Sequence, residues 1–309
     1  MLESTSVLPL LERRGWQALP QGGGWRLSRR GTTDVLYLSA TSRWLCLQYP
    51  IATGANGRDP RRSTPADQIR LYRHLLGRNE QMFMTKFGLD DAGQPVLTVE
   101  VPGRGGNSSC LVWAVEALNR YALKPSLQLG ALEKGPPQVA SEWSVARVLA
   151  DETPGVPKET IARYLKGAEA WGWGAKAEPE GPTWHLVYKG RLRVFDVYLT
   201  TTRTWSYFQA PTLVEGTASV LRADAPAQAA FLGYLLRLND ACFMAKIGLG
   251  EEGQPLLLLE APTELLDFAF FSLAVRTLAT YLDRYGPELY LMASLDRDRN
   301  LAELLTRKA

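Results

Sequence analysis

The stretch Asn79-Glu80-Gln81-Met82-Phe83-Met84-Thr85-Lys86-Phe87-Gly88-Leu89 returns as Asn239-Asp240-Ala241-Cys242-Phe243-Met244-Ala245-Lys246-Ile247-Gly248-Leu249, at an offset of 160 residues. The match runs on without a gap through Gly93-Gln94-Pro95 and Gly253-Gln254-Pro255 to Glu100-Val101-Pro102 and Glu260-Ala261-Pro262. Of these 24 aligned positions 12 are identical, where chance at ordinary residue usage gives about one or two. Downstream, Ala114, Val115, Leu118 and Tyr121 keep the same offset to Ala274, Val275, Leu278 and Tyr281. Upstream the offset becomes 161, pairing Tyr37, Leu38, Trp44, Gln48 and Pro50 with Tyr198, Leu199, Trp205, Gln209 and Pro211. The chain is therefore a tandem duplication, and a repeat this long governs the fold assignment.

Reading both copies together gives one α+β unit. A short helix (7–14, 158–169) precedes three strands (25–28, 35–40 and 44–49; 184–188, 193–200 and 204–209), all rich in aromatic and β-branched residues. A second helix starts at Pro65 or Pro226 behind a capping Thr64 or Asp224. A hairpin follows, its strands 82–87 and 96–101 joined by Asp90-Asp91-Ala92-Gly93, and a long helix closes the unit. The predicted order is α-β-β-β-α-β-β-α, a five-stranded antiparallel sheet with helices on one face and the other face available. The expected domains are 1–124, a linker over 125–156 marked by Gly135-Pro136-Pro137 and Pro154-Gly155, a second unit over 157–285, and a docking helix within 286–309. A short helix over 141–150 is expected inside the linker.

Order, strand motif and Gly-Gln-Pro turn together resemble the YbjN-like family, which shares its fold with class I type III secretion chaperones. The resemblance covers roughly 5–124 and 157–285. It implies a protein that works by binding other proteins, typically as a dimer holding an extended client segment. With two units in one chain, it further implies an intramolecular pseudo-dimer or an intertwined dimer of two chains. The apolar helix starts point the same way. Leu111 and Trp113 in copy one, and Phe268, Phe270 and Phe271 in copy two, leave almost no polar face, and a helix apolar all round needs cover on more than one side. The other copy, a second chain, or local cover by the linker or tail would each supply it.

Period-two alternation from Met82 places Met84 and Lys86 on one sheet face and Phe83 and Phe87 on the other, with Met244 and Lys246 repeating the pattern. The Met and Lys face reads either as a surface offered to a partner or as an exposed sheet whose lysine pairs with Glu100. Charge adds a second theme: residues 1–130 carry 16 Lys or Arg against 10 Asp or Glu, a net +6, and the remainder carries −3. The loop residues Arg58, Arg61 and Arg62 belong to that excess and could meet phosphate or an acidic protein.

Catalytic chemistry is not indicated. His74 and His185 stand alone, and His74, beside Arg70 and Arg73, reads as a solvated helix residue; Cys46, Cys110 and Cys242 are scattered and expected as reduced core thiols. The loop Gly103-Arg104-Gly105-Gly106-Asn107-Ser108-Ser109 could cradle phosphate, but it lacks a Walker ending and its counterpart Thr263-Glu264-Leu265-Leu266 has no glycine. No metal and no cofactor are expected. Net charge of +3, 46% hydrophobic content and no apolar span of membrane length describe a soluble globular chain, and the N-terminus lacks a signal-peptide pattern, so the expected location is cytoplasmic. The expected function is non-catalytic protein binding with chaperone-like character. The alternative is a nucleic-acid-associated role, through the basic first copy or a DNA-binding or stress-response partner.

Overall fold

The computed structural model describes residues 4–13, 15–29, 35–41, 44–51, 63–102, 108–122, 153–176, 181–211, 224–250 and 253–294. Among these lie six helices and two six-stranded antiparallel sheets. The described residues fall into two compact units: those within 1–63 and 84–138, and those within 64–83 and 139–309.

In the first unit, α1 (Ser4–Arg13) leads into β1 (Trp16–Gln21), β2 (Gly24–Arg29), β3 (Val35–Ala40) and β4 (Trp44–Pro50). The hairpin β5 (Thr85–Leu89) and β6 (Pro95–Pro102) completes the sheet in the order β1-β2-β3-β4-β6-β5, and α3 (Ser108–Ala122) packs on β6 and β5. Leu27, Leu38, Leu47, Val99 and Phe87 form the buried face, each worth about 1.5–3 kcal/mol on burial.

The second unit repeats the plan. It holds α4 (Lys158–Ala168), a single 3-10 turn (Glu169–Trp171), β7 (Trp173–Ala175), β8 (Thr183–Lys189), β9 (Val194–Thr201), β10 (Trp205–Pro211), α5 (Ala225–Ala241), β11 (Ala245–Leu249), β12 (Pro255–Pro262) and α6 (Phe268–Ser294). The sheet order is β11-β12-β10-β9-β8-β7. It also contains α2 (Pro65–Gln81), which follows β4 in the chain but packs on α5 and β11. The caps form as the sequence required: Thr64 accepts from the Asp67 amide, with Pro65 in the first turn, and Asp224 accepts from the Ala227 amide at 2.9 Å, with Pro226 likewise.

Four expectations are corrected. Each sheet has six strands rather than five, because β1 and β7 add an edge that polar residues, Pro20 and Gly174 hide from a β-propensity reading. The hairpin's first strand begins at Thr85 and Ala245, not at Met82 and Cys242. Met84 and Met244 sit before it in the left-handed region, at φ 60° and 63°, which breaks the alternation. Residues 153–156 belong to the second unit: Pro154 bridges Thr202 and the Gly155 amide donates to the Thr201 carbonyl at 2.8 Å. Finally, α6 runs unbroken to Ser294, through Pro287, so no separate helix starts at 286. The remaining linker, its expected helix over 141–150 and residues 295–309 lie outside the described residues.

Gly155 is fixed by close approach, since a Cβ there would lie 1.7 Å from the Thr202 carbonyl oxygen. Around it, Thr263 Oγ1 donates to the Thr202 carbonyl at 2.9 Å and lies 3.1 Å from Ser206 Oγ, all buried. Gly155→Ala therefore cannot be absorbed by a side-chain shift. We expect it to cost about 3 kcal/mol or more, read as a lower urea midpoint, whereas Gly174→Ala, with open space around its Cβ, should change little.

Candidate functional site

In both copies the hairpin strand carries a lysine on the sheet face opposite the helix-packed core. Lys86 Nζ lies 2.8 Å from Glu100 Oε1, and Lys246 Nζ lies 2.9 Å from Glu260 Oε1. Each glutamate sits on the neighbouring strand, one diagonal step from its lysine: Lys86 pairs with Thr98 and Lys246 with Leu258 in register. Both lysines are only 2% exposed. A buried ammonium requires a carboxylate and further acceptors, and Lys246 has both, donating also to the Met82 carbonyl at the C-terminal end of α2. The expected exposed face at Met84, Lys86, Met244 and Lys246 is thus corrected. The lysines are interior, and the two methionines are half-buried turn residues.

Asparagines fix the same strand edge. Asn239 accepts from the Ile247 amide at 2.6 Å and donates to its carbonyl at 3.0 Å, and Asn79 of α2 donates to that carbonyl at 3.1 Å. Both are fully buried, so the duplicated Asn satisfies the outward-facing amide and carbonyl of Ile247 on the edge strand β11. Gly248 admits the end of α2, since a Cβ there would meet the Glu80 amide nitrogen at 3.0 Å. Tyr207, directly opposite Glu260 in register, is buried, and its phenol is held well above its ordinary pKa by burial first and then by Glu260 and Glu80.

The outer face changes character away from the lysine. In the first unit one row crosses all six strands: Leu19, Arg26, Tyr37, Gln48, Thr98 and Lys86. In the second, His185, Tyr198, Gln209, Leu258 and Lys246 form the matching row. The lysine end is buried; Tyr37 and Tyr198 are each 38% exposed. Leu19, two strands from Tyr37 in the same row, is also exposed, as are Val194 at the start of β9 and Leu192 in the turn before it. His185 stacks on Tyr198 at 4.7 Å and lies 2.6 Å from Asp196, whose carboxyl is held low chiefly by that hydrogen bond.

Other sequence candidates are placed as follows. Phe271 is buried within its own unit, against Phe208 and Tyr164, and Phe268 contacts Tyr164 and α4 while remaining 45% exposed. Local cover by α4 therefore accounts for Phe271; Phe270 is half-buried. Leu111 is buried and Trp113 half-buried on α3. Arg58, Arg61, Arg62 and the loop 103–107 lie outside the described residues. His74 is not the solvated residue expected: it is half-buried, and burial, with Arg78 beside it, lowers its pKa to about 4. No disulfide joins Cys46, Cys110 and Cys242. Among the described residues no group of three His, Cys, Asp or Glu could hold a metal, and no helix is long and apolar enough to cross a membrane.

No protein-family model matches the chain, and no curated protein matches its sequence.

Two outcomes follow. Lys246→Met should cost about 3–5 kcal/mol by stranding Glu260, while Lys246→Met with Glu260→Leu should recover most of the loss in urea unfolding. For His74, the folded protein keeps a neutral imidazole to about pH 4, whereas the unfolded chain takes a proton near 6.5. Stability is full above that upper value and lost as pH falls through the window. Melting temperature should therefore drop between pH 7.5 and about 5 in the wild type, and drop less in His74→Leu.

Proposed function

We propose that this chain is a non-catalytic protein-binding module of YbjN-like, secretion-chaperone-like character, whose two repeats act as an internal pair and grip an extended segment of a client protein in the cytoplasm. The observation that carries the reading is the equal exposure of Tyr37 and Tyr198 at equivalent sheet positions, 38% in each copy, on a face whose other end is sealed by a buried ion pair. An outward aromatic on a sheet normally finds cover, and tyrosine supplies a large contact area with a polar tip. Farther along β9 on the same face, beyond Asp196, Val194 is 60% exposed, and Leu192 in the preceding turn is 77% exposed. In the first unit Leu19 on the edge strand β1 is likewise exposed.

The reading also gives a use to the polar side chains around these tyrosines. Gln48 and Gln209 flank them at matched register and present amides suited to a peptide backbone. His185, the only imidazole near the face among the described residues, is engaged with Asp196 and Tyr198.

A photo-crosslinking residue at position 37 or 198 should capture an unfolded model client that the same residue at exposed Arg237 does not. Tyr37→Glu with Tyr198→Glu should weaken client holding about tenfold with the melting temperature unchanged. Equal capture at position 237, or full holding by the double variant, would refute the reading; salt-sensitive capture of single-stranded DNA in place of protein would establish the nucleic-acid role instead.

A further inference from the structure

An open cleft of about 520 Å³ lies within the second unit, between α6 and the 3-10 turn with the β8–β9 turn. Its helix wall is one stripe of α6, Arg276, Thr280, Asp283 and Arg284; Trp171, Tyr188 and Arg191 form the opposite side. Three guanidinium groups thus face one carboxylate. That carboxylate is already engaged: Asp283 accepts from the Tyr188 hydroxyl at 2.8 Å and from the Arg191 amide at 2.9 Å. Burial and Asp283 push the Tyr188 phenol up to about 12, so it remains a donor.

The turn is built for this contact, because a Cβ on Gly190 would lie 2.6 Å from Asp283 Oδ1. Asp283 therefore anchors the turn that carries Arg191, whose side chain is 88% exposed and 3.9 Å from Asp283 at its Nε. The cleft has two chemically different ends. At one, the Arg276 guanidinium lies 5.6 Å from the Trp171 ring centre, and the indole is 40% exposed. At the other stand Arg191 and Arg284. Eight residues of helix separate Arg276 from Arg284, roughly 12 Å of rise. A flat ring joined to an anionic tail spans such a distance.

We propose that this cleft binds a nucleoside phosphate, with the base against Trp171 and Arg276 and the phosphates held by Arg191 and Arg284. Guanidinium forks match phosphate oxygens in geometry and stay charged, and an indole with a neighbouring guanidinium accepts a stacked base of any kind. At the repeat offset of 160 Arg276 aligns with Glu116, so this cation is particular to the second copy; the cleft shares the β8–β9 turn with Leu192 but lies on the α6 side of the sheet, opposite Tyr198.

The test is calorimetric titration of the full chain with ADP, pyrophosphate and adenosine, for the wild type, Arg284→Gln, Trp171→Leu and a surface control, Arg237→Gln. ADP should bind saturably at sub-millimolar concentration and more tightly than pyrophosphate, adenosine should not bind detectably, and added salt should weaken ADP. Arg284→Gln and Trp171→Leu should each weaken ADP about tenfold, with Arg237→Gln unchanged and all melting temperatures alike. Absence of ADP binding overturns the proposal. So does ADP binding unaffected by Arg284→Gln and Trp171→Leu, adenosine binding as tightly as ADP, or pyrophosphate matching ADP.

Discussion

A lysine ammonium at 2% exposure imposes conditions on everything near it. In water it is solvated at no cost; inside a protein it must recover that solvation from a carboxylate and from oriented acceptors. Lys246 meets Glu260 across one strand, which fixes the register of β11 on β12, and meets the Met82 carbonyl, which fixes where α2 ends. Asn79 and Gly248 serve the same junction, one by bonding the Ile247 carbonyl and the other by leaving room for the helix end. Phe83, stacked on Trp205 at 4.3 Å, extends it with apolar contact. The residues Asn, Lys and Gly of the duplicated strand are thus parts of one structural device.

That device explains why the chain crosses between its compact units at residues 63 and 83. The helix α2 has its buried side chains, Tyr72, Leu75, Leu76, Arg78 and Asn79, along one face, and this face is satisfied within the second unit against α5 and β11. Helix α5 is buried on nearly every side, consistent with α2 as an additional layer. A helix apolar on so many sides is stable only where more than one neighbour covers it. The sealed end of the outer face is the consequence, and the tyrosine end is what remains open.

Much of this was legible from the residues. The repeat stood out because strand, turn and buried pair constrain the same positions twice, and the Thr64 and Asp224 caps followed from Pro65 and Pro226 one and two positions on. Pairing of Lys86 with Glu100 was one of two readings, and the chain gave no means of choosing, since period-two alternation cannot tell a covered outer face from an open one. The alternation itself failed at Met84 and Met244, where a left-handed backbone is rare for methionine and carries no sequence mark. The edge strands were hidden by Pro20 and by the shortness of β7. The unit membership of α2 and the arginine cleft join residues far apart in sequence, which local pattern does not report.

Divergence between the copies follows the same division between frame and face. The Asn, Lys and Glu positions are retained, because loss of any one leaves a buried group without its complement. Positions beside the pair have drifted: Cys46 and Thr98 of the first sheet stand where Tyr207 and Leu258 stand in the second. Tyr207 is buried beside Glu260, which makes the second copy's sealed end bulkier and drier than the half-exposed Cys46 does in the first. Arg26 in one row is answered by His185 in the other, so the first face presents a guanidinium fork where the second presents an imidazole bound to Asp196. A constant frame with unlike faces allows one chain to offer two chemically distinct surfaces at the same register, and selection can alter either without disturbing the buried pair beneath.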